Sequence, residues 1–165
     1  MQYLDEHSIA YSCYNHPEGK TIEEAKRWWR NDGSVHCKNL FFRNHKGNQH
    51  YLVCFDSDYD LAIHDLEQML KEALVSAGQK APGKLSFASA ERMLKYLGLE
   101  PGSVSPFGLI NDEDNHVILF LDENLFEILR NIDDEVTHLF KFADYIHIVN
   151  ACLIVLSAAL DLFNL

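Results

Sequence analysis

Two apolar, β-prone runs, Lys38-Asn-Leu-Phe-Phe-Arg43 and His50-Tyr-Leu-Val-Cys-Phe55, are separated by little more than Asn44-His-Lys-Gly-Asn48. Parallel strands need a crossover of roughly a dozen residues, so a link this short reads as the loop of an antiparallel hairpin. A hairpin alone is marginal in water, so further strands and a covering layer must follow. Candidates are Lys84-Leu-Ser-Phe-Ala88, the continuous apolar run His116 to Asp122, and Ala151 to Leu156. Ile9 to Tyr14 is a further β-prone run, closed by His16-Pro17.

The intervening segments carry helical signals. Thr21-Ile-Glu-Glu24 has the spacing of a capping box and predicts a helix to about Arg30. Asp60 to Ala73 has apolar residues at helical spacing, and Ser89 caps a helix that Gly98 stops after Leu97. Asp122 to Arg130 and Ser157 to Leu165 complete the set. Strands often follow one another without a helix between, so the expected class is α/β (α+β). Its sheet should be mixed and largely antiparallel, with helices packed outside. At 165 residues one domain, 1–165, is expected.

Composition narrows the function. The chain carries 14 Lys+Arg against 25 Asp+Glu, a formal net charge of −11, which excludes a protein that coats nucleic acid through a general basic surface. Yet Lys20, Lys26, Arg27, Arg30, Lys38, Arg43 and Lys46 lie within residues 1–46, whereas residues 96–165 hold only Arg130 and Lys141. A local basic face gripping a few phosphates is compatible with that asymmetry. The longest apolar stretch, Ala151 to Leu160, is about half of a membrane span, and Met1 to Ala10 lacks the pattern of a signal peptide. A soluble cytoplasmic protein is expected. Cys13, Cys37, Cys54 and Cys152 have no paired spacing and read as reduced, core-filling thiols.

Nucleotide-loop, nucleophile-elbow and zinc-helix motifs are missing from the sequence. His45 and His50 flank the hairpin loop and read as mobile surface histidines. Asp56, Asp58 and Asp60 lack the glycine and terminal glutamate of a calcium loop. Two features stand out. Lys38 opens an apolar strand, where an ammonium needs a polar pocket or solvent at the strand end. Glu100-Pro-Gly-Ser-Val-Ser-Pro-Phe-Gly108 places two prolines and two glycines in a stiff loop whose backbone can approach a ligand closely.

Together, His16-Pro17 with Thr21-Ile-Glu-Glu-Ala25, Lys38-Asn-Leu-Phe41, Lys84 to Ser89 and Gly102 to Asp112 resemble the YbaK/ProX family of aminoacyl-tRNA editing domains. The likeness is greatest to the freestanding ProX branch, similar to the insertion domain of bacterial prolyl-tRNA synthetase. It implies a sheet curled into a barrel-like core and hydrolysis of a mischarged aminoacyl-tRNA, Ala-tRNA(Pro) foremost. The partner so implied is the acceptor end of that tRNA.

The resemblance implies catalytic positions at Lys38, Gly102, Ser103 and His147. It implies substrate-binding positions at Asn39, Val104, Ser105, Pro106, Phe107, Gly108 and Asn150. No metal ligand is among them. His147 and Asn150 correspond to the family's F-H-P-x-x-N segment, although Ile148 replaces its proline and the spacing is one residue shorter. His138 is the rival for the histidine's place. An aminoacyl ester is already activated, so its hydrolysis requires no cofactor, only a placed water and donors where negative charge develops. The resemblance further implies that the substrate's ribose 2′-hydroxyl helps to activate that water. Alternatives are a deacylase of Cys-tRNA(Pro) or another misacylated tRNA, and a non-catalytic module that binds the acceptor end.

Overall fold

The computed structural model describes residues 2–6, 8, 13, 15–17, 21–29, 36–59, 62–123 and 125, together with the backbone of 152–156. The hairpin is present. β1 (Cys37–Arg43) and β2 (His50–Asp56) pair antiparallel, with Lys38 opposite Phe55 and Arg43 opposite His50. The outer edge of β1 takes β3 (Ser86–Phe87), antiparallel and much shorter than the predicted strand. The other edge of β2 takes β4 (Val117–Asp122) and then β5 (Cys152–Leu156), both parallel. The sheet order is β3-β1-β2-β4-β5, an open mixed sheet. Its balance is even, antiparallel at the β1 side and parallel at the β4 side, because β4 returns alongside β2 and not as a further hairpin.

Around the sheet lie α1 (Gln2–Glu6), α2 (Ile22–Ala25), α3 (Ile63–Ser76) and α4 (Ala90–Leu97). Thr21 Oγ1 accepts from the Glu24 N–H at 3.2 Å, the cap its sequence implies, and α2 tightens into a 3₁₀ turn over Lys26–Trp28. Ser89 likewise accepts from the Arg92 N–H, and Gly98 ends α4 in the left-handed conformation at φ 64°. The predicted strand at Ile9 to Tyr14 and the helices from Asp122 and Ser157 lie largely or wholly outside the described residues.

Alternation along β1 builds two cores. Leu40 and Phe42 face α3 with Tyr51, Val53, Phe55, Leu66 and Leu70. Phe41 faces α4 with Leu52, Cys54, Met93, Leu97 and Leu109. β2 and β4 are covered on both faces, which is why their sequences are continuous apolar runs rather than alternating ones. Each such side chain contributes about 1.5–3 kcal/mol by leaving water. Cys54 packs here as expected, but Cys13 and Cys37 are exposed.

His50 corrects the surface reading of the histidines: it is fully buried, whereas His45 is exposed. Its position opposite Arg43 sends the ring to the α4 face, between Phe41 and Tyr96. Both ring nitrogens are engaged. Arg92 Nη1 approaches Nε2 at 3.0 Å, and His116 Nε2 lies 2.8 Å from Nδ1. Since a guanidinium only donates, His50 is the neutral tautomer that accepts at Nε2 and donates from Nδ1 to His116. The same Arg92 nitrogen donates to the Gly47 carbonyl at 2.6 Å, tying α4 to the hairpin turn.

Candidate active site at the end of strand β1

The glycine–proline loop is held at both ends. Asn111 donates from Nδ2 to the Leu97 carbonyl at 2.8 Å and to the Gly108 carbonyl at 3.3 Å, closing the segment after α4 upon itself. Gly108 is buried so tightly that a Cβ would stand 2.8 Å from Leu97 Cβ and 2.9 Å from the Leu97 carbonyl oxygen. Pro106 starts a 3₁₀ segment, Pro106–Asn111, with the Ser105 hydroxyl accepting from the Phe107 N–H. This helical segment was not foreseen in the loop. Beyond it, Asp112 accepts from the N–H groups of His116 and Val117 at 3.1 and 2.7 Å and anchors the start of β4.

Gly102 differs from Gly108. Its φ of 91° belongs to the region glycine favours, yet nothing lies within 4 Å of a Cβ built there, so its backbone borders open space. Ser103 follows, exposed, with its hydroxyl donating to the Glu100 carbonyl at 2.8 Å. Phe107 is exposed just beyond Pro106.

Strand β1 meets this loop through Asn39, whose Nδ2 donates to the Val104 carbonyl at 3.1 Å. Its Oδ1 is buried without a hydrogen-bond partner among the described residues. Lys38 lies on the other side of the strand, because consecutive β residues point to opposite faces. Its ammonium is 5.7 Å from the Phe55 ring centroid, and the side chain is half-buried. Glu23 lies within its electrostatic reach. That carboxyl is held below its ordinary range, first by a backbone N–H and the Thr21 hydroxyl, then by Lys26 and Lys38. Thus Asn39, and not Lys38, makes the hydrogen bond between the two segments. His138, His147 and Asn150 lie outside the described residues.

Asn39 joins the end of β1 to Val104 of the loop, two residues beyond Gly102, with Lys38 on the reverse of the same strand end. Such a site offers an amine for a phosphate and backbone groups for a carbonyl. Asn111 and Asp112 had no role assigned from sequence; an Asn and an Asp closing a Gly/Pro-rich loop just before a buried strand were the available signal.

Residues 16–132 match the family described as aminoacyl-tRNA editing domain. The chain belongs to that family. The editing domain is a deacylase fold, and its matched span holds Lys38, Asn39 and the whole 102–108 loop, ending before His138. Over 122 residues the chain is 40% identical to the prolyl-tRNA editing protein ProX of Acetoanaerobium sticklandii, covering 74% of this chain and 68% of that protein. It is 31% identical over 127 residues to the prolyl-tRNA synthetase associated domain-containing protein 1 of Xenopus laevis, covering 77% and 70%. The fold is similar to the crystal structure of hypothetical protein APE2540, with a TM-score of 0.52 at 19% identity over 76% of this chain and 74% of that one.

Proposed function

We propose that this editing domain acts in trans on the acceptor end of a mischarged tRNA and hydrolyses its aminoacyl ester without a cofactor, Ala-tRNA(Pro) being the foremost substrate. The observation that carries this reading is the Asn39–Val104 hydrogen bond, which couples the lysine-bearing strand to the glycine–proline loop. The terminal nucleotide wraps the end of β1. Its phosphate meets Lys38, and its ester lies against the backbone of Gly102 to Ser105. Donors held rigidly in that loop need no reorganisation as negative charge develops on the carbonyl oxygen.

Water is the nucleophile in this scheme, assisted by the ribose 2′-hydroxyl. The Ser103 hydroxyl donates to the Glu100 carbonyl, and among the described residues no side-chain base accepts from it. Val104, Ser105, Pro106, Phe107 and Gly108 shape the wall that admits a methyl side chain and excludes larger ones. Exclusion by size suits alanine, since a single methylene discriminates by only about 1–3 kcal/mol when it must be rejected by lost contact. His147, or His138 in its stead, and Asn150 complete the substrate side.

The test is deacylation of Ala-tRNA(Pro), Cys-tRNA(Pro) and Pro-tRNA(Pro) by the full chain and by Lys38→Ala. The reading expects turnover of the alanyl ester, sparing of the prolyl ester, and loss of turnover in the variant with an unchanged far-ultraviolet spectrum. Full activity in Lys38→Ala would remove that lysine from the mechanism. Lack of turnover with every ester would leave a binding module.

A further inference from the structure

Between α4 and β4 the chain leaves Leu97 and comes back to it. A Cβ at Gly108 would stand 2.8 Å from Leu97 Cβ, so residues 98–107 form a closed loop whose two ends touch. Asn111 sits at that junction. Its Nδ2 donates to the Leu97 carbonyl at 2.8 Å and to the Gly108 carbonyl at 3.3 Å, so one carboxamide bridges both ends. The Leu97 carbonyl is among the last of α4, which have no partner inside the helix. The fit is close on the other side as well, since a Cβ at Gly98 would stand 2.7 Å from the same nitrogen.

The elements on either side have anchors of their own. α4 ends in the left-handed conformation of Gly98, whose N–H donates to the Leu94 carbonyl at 3.0 Å. β4 is started by Asp112, which accepts from the His116 and Val117 N–H groups. The Asn111 carboxamide therefore serves the loop. Inside that loop, Leu99 and Val104 pack against the core of Phe41 and Leu109, and Asn39 holds the Val104 carbonyl at 3.1 Å. Ser103 turns back on the Glu100 carbonyl through its N–H at 3.1 Å and its hydroxyl at 2.8 Å. Val104 thus fixes the middle of the loop and Asn111 its base, while Gly102 between them borders open space.

We propose that Asn111 is a positioning residue of the deacylation. By fixing the base of the loop, it sets where the Gly102–Ser105 backbone meets the ester and how wide the wall from Val104 to Gly108 opens. This rests on the function proposed above, which places the ester at that backbone. Asn111 acts through the loop and touches neither the ester nor the water. A shift of about 1 Å in a group that aligns the reacting atoms costs on the order of a hundredfold in rate. Size exclusion suffers too, because a wall that gives way admits the larger side chains it otherwise refuses. Without the bridge the loop stays tethered at Val104 and is free at its base, so the effect falls on turnover and selectivity more than on folding.

The experiment compares the full chain with Asn111→Ala on Ala-tRNA(Pro), Cys-tRNA(Pro) and Pro-tRNA(Pro). Asn111 is exposed, so its truncation opens no buried cavity. For the alanyl ester, kcat should fall about tenfold or more while KM changes little. Discrimination against the cysteinyl and prolyl esters should narrow, which a smaller folded fraction alone would not cause. Amide hydrogen exchange should quicken over residues 99–108 and stay unchanged over α4 and β4. Should Asn111→Ala fail to fold, Asn111→Ser, which keeps a hydroxyl donor, carries the same measurements. Full turnover in the variant, or a loss equal for each ester that the parent hydrolyses, overturns the positioning role and leaves the editing function standing. Exchange quickened equally over α4 and β4 overturns it as well. No turnover of any ester by the parent overturns the proposed function, and the role of Asn111 with it.

Discussion

Arg92 and His50 meet at 3.0 Å in the interior, where the guanidinium faces Nε2 of a fully buried imidazole. A guanidinium cannot accept, so the histidine stays neutral, and its pKa falls from 6.5 to about 4. Burial is the largest cause, followed by the charges of His116, Arg92, Lys95 and Arg43. The unfolded chain therefore binds one more proton than the native one between about pH 4 and 6.5. Stability contributed by this site is complete above pH 6.5 and is lost as the pH falls toward 4. The expected loss is roughly 3 kcal/mol over that window. Urea denaturation at intervals from pH 7.5 to 4.5 should reveal it, and His50→Gln should flatten the curve.

Asn39→Ala should separate activity from folding. Losing one partly buried hydrogen bond costs about 1 kcal/mol. The loop that Asn39 holds would lose its register with β1, so deacylation should fall far more than stability does. Asn39→Asp, which cannot donate to the Val104 carbonyl, should be no better. Parallel thermal melts and ester hydrolysis would check this, and an Asn39→Ala variant with full turnover would contradict it.

The two loop glycines should behave oppositely when changed to alanine. At Gly108 the new methyl group would stand against Leu97 side chain and backbone, so overpacking should cost about 1–3 kcal/mol. At Gly102 the space is open and only the left-handed backbone resists, which costs roughly 1 kcal/mol. Calorimetric midpoints of the two variants should rank accordingly.

Ser103→Ala tests the identity of the nucleophile. Its hydroxyl donates to the Glu100 carbonyl, so removal should loosen the turn slightly and leave turnover within about tenfold of the parent. A loss of several orders of magnitude, or an acyl-enzyme trapped by mass spectrometry, would make Ser103 the attacking group.

How much of this could be read beforehand follows from the range of the forces involved. The hairpin was legible because six residues between the strands leave little choice of pairing, and the caps at Thr21 and Ser89 were legible because capping is a contact three residues long. Lys38 and the Gly102–Gly108 loop stand out as candidate site segments for similar local reasons. The 3₁₀ segment at Pro106–Asn111 was hidden, since it depends on Asn111 reaching back to Leu97. The burial of His50 was hidden too, because a polar residue beside a turn looks exposed until Arg92 and His116, remote in sequence, satisfy its ring.

Sequence alone determined the β1–β2 hairpin, the strands β4 and β5, the helices α2, α3 and α4, and which family the chain resembles, but neither α1 nor the 3₁₀ segment Pro106–Asn111. These depend on periodicity, caps and turn residues, whose interactions span a few positions. Tertiary structure decided that Asn39 bonds the loop while Lys38 points away, and that Arg92 reaches both the hairpin turn and the buried His50. Both follow from which face each strand residue presents once the sheet has its order, and that order is set by burial across the whole molecule.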